Sequence, residues 1–311
     1  MDFVDMVKQM KPNLRDTSVQ SYAVSLKSIA PPGATDLEFL KDTDVVMDRL
    51  EKYKPNTRKN YLNAAIVVLK GSKDDTYKKA VEFYEEKRDK FQNDYQEVVK
   101  AHKKTASQEK NWVTWPDYEA MVKKMGSEVK SRGSMNSSEE QRFQDYLIVL
   151  LHQHYPVRND FADLLVRTQM QWRRMSEHER KSRNYFVYGS ARQGGSFRFV
   201  LNHYKTSGKL GQRVMEVTDG VVKRALRRWI RHNQSDHFLR NRKGEPLNSN
   251  GITKALTRIG EKELGKKIGS SLLRHSYLSH KYADVNKEKQ KDAEIMMHSL
   301  KTQSEYVKTE D

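Results

Sequence analysis

Residues 184–217 read NYFVYGSARQGGSFRFVLNHYKTSGKLGQRVMEV, and this stretch decides the fold class. The apolar period changes to two in it. Tyr185-Phe186-Val187-Tyr188, then Phe197 to Tyr204, then Arg213 to Val217 read as three short strands. Gly194-Gly195 and Thr206-Ser207-Gly208 supply the turns, so the strands are expected to form an antiparallel meander. The flanking sequence has helical period on both sides. The expected fold is therefore mainly α with a small antiparallel β-sheet, an α+β chain.

Toward the C-terminus, helices are expected at about 221–232, 249–263, 271–282, 292–298 and from Gln303 to the end. The charged stretch Asn286 to Lys291 is expected as a loop or frayed helix. Toward the N-terminus, Pro116 with Asp117 and Glu119 marks a helix start, and a second helix is expected near 139–153. Trp172 to Arg183 is expected as an added charged helix. His102, Lys103, Lys104, Thr105, Ser107, Gln108 and Lys110 make a polar, basic stretch without periodicity. It suggests a linker at 106–111 between domains at 1–105 and 112–311.

The first domain is expected to be all helical. Pro12, Pro31-Pro32-Gly33 and Pro55-Asn56-Thr57 punctuate its helices, with Thr17 as the N-cap of the second and Gly71 closing the one that begins near Pro55.

The chain has 311 residues, enough for two cores, and a formal net charge of +17, which favours a polyanionic partner. Nucleic acid leads. No long apolar run supports a membrane span. There is no cysteine, which excludes disulfides, thiol catalysis and cysteine-ligated zinc. The first ten residues carry Asp2 and Asp5 and no apolar core, so an intracellular, non-secreted protein is expected. His152, His154 and His203 lack the acid spacing of a metal site and are read as structural.

The chemistry-bearing residues occur in a fixed order. Tyr155-Pro156-Val157-Arg158 is followed by Asp160 and Asp163. Lys205-Thr206-Ser207-Gly208-Lys209 fills the turn between the second and third strands. Ser270-Ser271-Leu272-Leu273-Arg274-His275 comes next, and Met296-Met297-His298-Ser299 precedes Tyr306 by eight residues. Two guanidinium forks suit the two nonbridging oxygens of a phosphodiester, which gain charge when phosphorus is attacked. Arg158 and Arg274 are the candidates.

This order resembles the catalytic domain of the tyrosine recombinases, the phage-type integrase family, over roughly Trp112 to Tyr306. In detail it looks closest to recombinases of viruses and mobile elements. The helical first segment, with its Pro55-Asn56-Thr57-Arg58-Lys59-Asn60-Tyr61 helix start, resembles the family's N-terminal core-binding domain, which clamps DNA. The resemblance implies a site-specific recombinase or integrase that binds double-stranded DNA and acts as a homo-tetramer on two sites. It cuts and rejoins strands through a 3′-phosphotyrosine, with no cofactor.

The resemblance makes Tyr306 the nucleophile, Arg158 and Arg274 the phosphate-binding pair, and His298 a hydrogen-bond donor to the scissile phosphate. Lys205 or Lys209 is the general acid, with Lys205 preferred. His275 is expected to support the helix, and Asp160 or Asp163 to hold Arg158. The family commonly has a histidine three residues before the second arginine; here that residue is Ser271, an N-cap candidate or a hydrogen-bonding partner of the phosphate that is a poorer base. Where the family usually has an acid three residues after the first arginine, this chain has Phe161. A type IB topoisomerase-like relaxase and a catalytically inactive DNA-binding relative are the alternatives.

Overall fold

The computed structural model describes residues 2–100, 103–189 and 195–306. The chain divides into two compact units, Met1–Lys104 and Thr105–Asp311. Ala101 and His102, at the start of the expected linker stretch, lie outside the described residues, as do Gly194 and residues 307–311.

The first unit is helical: α1 (Phe3–Met10), α2 (Asp16–Ile29), α3 (Thr43–Glu51), α4 (Pro55–Ser72) and α5 (Lys78–Lys100). Its core gathers Val7, Leu26, Ile29, Leu40, Val46, Leu50, Leu62, Val68 and Tyr84. Pro55 begins α4, where its missing N–H costs nothing. The next turn of that helix closes the one before it, because Arg58 donates to the carbonyls of Tyr53, at 2.7 Å, and Glu51. Two details differ from expectation. The N-cap of α2 is Arg15, with no side-chain cap bond, so Thr17 lies inside the helix. Lys73, with φ of 56°, ends α4, while Gly71 sits against α1, where a Cβ would stand 2.7 Å from the Met10 carbonyl oxygen.

The second unit begins with α6 (Ala106–Asn111), so residues 106–111 are a capped helix and not an open linker. The capping box explains this: the Thr105 hydroxyl accepts from the Gln108 N–H and the Gln108 amide oxygen accepts from the Thr105 N–H. There follow α7 (Trp115–Glu128) and α8 (Ser137–His154), the latter buried continuously from Phe143 to His152. Inside it, Asp145 holds Arg258 through two bonds of 2.7 and 2.8 Å. Gln144 pairs with both backbone groups of Arg240 at 2.9 Å.

The sheet comprises β1 (Leu165–Thr168), β2 (Tyr185–Tyr188), β3 (Phe197–Leu201) and β4 (Arg213–Glu216), in that spatial order. The three expected strands pair antiparallel, with Phe186 opposite Phe199 and Phe199 opposite Met215. The added β1 pairs parallel to β2, so the sheet is mixed and not purely antiparallel. A parallel neighbour requires a crossover. It is built from α9 (Gln169–Arg174) and α10 (Glu177–Ser182), two short helices where one was expected. Ser176 divides them by capping the second with Glu179. The crossover lays Trp172 and Met175 on Tyr185, Val187 and Val200, while Phe186 and Phe199 on the opposite face join the main core. Both faces of β2 are thereby covered, which explains its unbroken apolar run.

After β3 come the short α11 (Ser207–Leu210), then β4, α12 (Gly220–His232), α13 (Ser249–Leu264), α14 (Ser270–Ile295) and α15 (Leu300–Tyr306). The segment 286–291 is continuous helix, not a loop, and joins the two helices expected at 271–282 and 292–298. No Gly or Pro interrupts 270–295, and Lys, Glu and Gln propagate a helix well. Leu273 and Ser276 of α14 are buried, and the Ser276 hydroxyl donates to the Val113 carbonyl at 2.6 Å. Beyond Tyr277 its residues are exposed as far as Asp292.

Candidate functional site

Arg158 lies in the turn that follows α8. Asn159 pins this turn to the start of α13, donating to the Ser249 carbonyl at 2.9 Å and the Thr253 hydroxyl at 2.8 Å. Phe161, where the resemblance led us to expect an acid, is a core residue. Its ring lies 5.0 Å from Phe199 and 5.6 Å from His152, centroid to centroid. The Arg158 side chain is exposed and makes no hydrogen bond or ion pair.

Arg274 sits in the second turn of α14, half-buried, with one bond of 3.3 Å from its Nε to the Ser270 carbonyl. Burial lowers its pKa, the neighbouring Arg158 charge lowers it further, and Asp160 opposes both. Asp160 is also half-buried. Burial raises its carboxyl pKa, against the pull of the Arg158 charge and backbone and of Arg274. The fold thus brings Arg158, Asp160 and Arg274 together from the ends of two helices.

Asp163 is not the carboxylate beside the arginines. It has a left-handed φ of 54°, its N–H bonds the Leu247 carbonyl at 3.2 Å, and the charges that act on it are those of His237 and Arg183.

Sequence reasoning missed His152 at this place. The ring is fully buried, and its Nδ1 bonds the Ile148 carbonyl at 2.8 Å, so the proton of the neutral form sits there. Its Nε2 is buried without a hydrogen-bond partner. Burial lowers its pKa; the Ile148 carbonyl and the Arg158 backbone oppose this, and the Arg274 charge adds to it. The available signal was its place one helical turn before the Arg158 turn, on an otherwise apolar run.

The N-terminus of α14 adds to the positive end of the site. Gly269 is its N-cap, without a side-chain bond, so Ser271 lies within the first turn and does not cap. Ser271 and His275 are both exposed. Free N–H groups at a helix start, beside two arginines, favour an anion.

Lys205 and Lys209 stand on the loop between β3 and β4. Asn184 fixes the base of that loop: its side-chain oxygen accepts from the N–H groups of Asn202 and His203 at 2.7 and 2.8 Å, and its amide donates to the His203 carbonyl at 2.8 Å. The Tyr204 hydroxyl closes the loop onto the Gly211 carbonyl at 2.7 Å. Lys205 lies in the turn and Lys209 in α11, both exposed and unpaired.

His298 and Tyr306 meet one another but not the arginines. Their ring centroids are 5.5 Å apart. The His298 Nε2 lies 3.2 Å from the Met296 sulfur, its Nδ1 is buried without a partner, and Tyr306 is 66% exposed. The unbroken α14 carries this pair away. At a rise of about 1.5 Å per residue, the helix runs ~30 Å from Arg274 to Ile295, and Tyr306 ends a seven-residue helix beyond it.

Among the described residues no three His, Asp or Glu side chains gather as a metal site, and no helix is long and apolar enough to cross a membrane. Comparison with protein-family models, with curated proteins and with solved structures finds no match to the chain.

Proposed function

We propose that the chain is a DNA strand transferase of the tyrosine recombinase type, with Met1–Lys104 as its core-binding domain and the second unit as its catalytic domain. The carrying observation is the convergence of Arg158 and Arg274 at the exposed N-terminus of α14, with one half-buried acid, Asp160, on which both charges act. Two like charges at the positive end of a helix are held there at an energetic cost, and a phosphodiester relieves it.

In the proposed reaction the Tyr306 hydroxyl attacks phosphorus and releases its proton to solvent. A bond from its oxygen to phosphorus forms, the bond to the 5′ oxygen breaks, and Lys205 supplies the proton that the departing oxygen takes, with Lys209 as the other candidate. Arg158, Arg274 and His298 bind the charge that develops on the nonbridging oxygens. The 3′-phosphotyrosine keeps the energy of the original ester, so the reverse step rejoins DNA. A tetramer on two double-stranded sites would exchange strands between the steps. Because α14 holds Tyr306 far from its own arginines, the site is proposed to be completed by a neighbouring copy.

A nicked suicide duplex tests this, with the covalent adduct read on a denaturing gel. Wild type should form the adduct, Tyr306→Phe should form none, and Arg274→Ala should form it about 100–1,000-fold more slowly. An equimolar mixture of the two variants should regain adduct, since one supplies the tyrosine and the other the arginines. Formation of recombinant joints separates recombination from simple relaxation. A wild-type protein that binds the duplex without any adduct supports the second reading, an inactive relative, which Ser271 and the distance of Tyr306 from the arginines favour.

A further inference from the structure

A strongly one-sided charged surface lies away from the candidate site. Helix α12 reads GVVKRALRRWIRH and contains Lys223, Arg224, Arg227, Arg228 and Arg231 with no acid. Its buried side holds Val222, Ala225, Leu226 and Trp229. At 100° per residue the five cations fall on the opposite arc.

None of the five forms an ion pair, and the Nε and one terminal nitrogen of Arg228 are buried with no hydrogen-bond partner. The nearby acids are already engaged. Asp219 caps α12 by accepting from the N–H groups of Val221 and Val222, at 2.7 and 2.9 Å, and Glu140 is paired with Arg240.

This arrangement works against the helix. Lys223 with Arg227, Arg224 with Arg228, and Arg227 with Arg231 are like charges four residues apart. Lys223 also stands in the first turn, where the helix dipole disfavours a cation. Inside the chain these side chains find only partial compensation, with the Arg227 guanidinium 5.6 Å over the Phe197 ring and the Arg224 charge acting on Asp219, so an arriving anion relieves the remaining repulsion.

The helix also leads away from the arginine pair. It lies antiparallel to α8: Asp219 is 4.0 Å from His154, at the end of α8 that leads to Arg158, while Trp229 stacks on Phe143 at 6.3 Å, near the other end. Lys223, Arg227 and Arg231 make a row along α12 with steps of ~6 Å, comparable to the stride between neighbouring phosphates of one strand.

We infer that the basic face of α12 is a second DNA-contact surface, which binds the sugar–phosphate backbone of a duplex away from the phosphate that is cut. The inference rests on the DNA-binding part of the proposed function and is independent of cleavage.

The test measures the affinity of the full chain for a fluorescent duplex of random sequence over a range of salt. Wild type is compared with the triple variant Lys223→Gln, Arg227→Gln, Arg231→Gln. The log–log slope should shrink by about 2–3, the counterions displaced by three phosphate contacts. A control triple, Lys287→Gln, Lys289→Gln, Lys291→Gln on the exposed part of α14, removes the same charge and should keep the wild-type slope. If the α12 triple does not fold, the double variant Arg227→Gln, Arg231→Gln, at two exposed positions, should shrink the slope by about 2.

An unchanged slope in the α12 variant, or equal losses in both triples, overturns the inference while leaving the proposed function intact. Loss of binding to phosphatidylserine vesicles with no change on DNA also overturns it, in favour of a lipid surface. A wild type that does not bind duplex at all overturns both.

Discussion

At the scale of single residues, His152 and Asp160 surround the arginine pair with groups whose protonation the fold controls. Burial favours neutral His152 and lowers its pKa. The sign of its stability contribution follows. The contribution is complete above the unfolded histidine pKa of about 6.5 and is lost as pH falls toward the lower folded value. Below pH ~6.5 each unit should cost up to about 1.4 kcal/mol until the folded pKa is reached. Thermal unfolding between pH 7.5 and 5.5 should therefore fall more steeply for wild type than for His152→Gln; parallel curves would show that burial does not hold the ring neutral. Arg158 and Arg274 were legible in sequence from their place in the order Arg, Lys, Arg-His, His, Tyr and from the match of two guanidinium forks to the nonbridging oxygens of a phosphodiester. Their proximity to Asp160 was only half legible, because nothing in the spacing shows that Asp163 adopts a left-handed φ and faces His237.

At the scale of elements, helix packing gives sharp expectations. Gly260 lies in α13, where a Cβ would stand 2.5 Å from Ile268 Cγ1 and 2.6 Å from the Lys266 carbonyl oxygen. Gly260→Ala should therefore destabilise the chain by about 1–3 kcal/mol in denaturant unfolding, although alanine is the better helix former. Gly208→Ala, with open space around the added methyl, should be close to neutral. The meander was readable from period-two alternation in 185–217, and α4 from Pro55. The parallel strand β1 was not, because Leu165–Thr168 is four residues long and its partner is recruited across a crossover. The continuity of α14 was missed for a different reason. Charged residues without an apolar stripe suggest a loop, yet Lys, Glu and Gln extend a helix that is already nucleated at its buried end.

At the scale of the molecule, the two units have separate cores, and a lesion in one should be felt there first. Leu26 is fully buried in the first unit. Leu26→Ala should cost about 2–5 kcal/mol and lower one calorimetric transition of the full chain. The transition of the second unit should keep its midpoint, and a common shift of all unfolding would show that the units melt as one. Composition made the two-core arrangement and the basic character legible. It did not show where the charge is unpaired, because that depends on which acids the fold has already engaged.

The length of α14 has a further consequence. Under the proposed reaction, a lone copy seated on DNA carries a phosphate clamp without a nucleophile in reach, so encounter alone leaves the strand intact. Chemistry becomes second order in protein: halving the amount bound lowers the rate of cutting more than twofold. An unbroken run of lysines and glutamates, which looks like filler in the sequence, would then act as a safety interlock against stray breaks in the genome it visits.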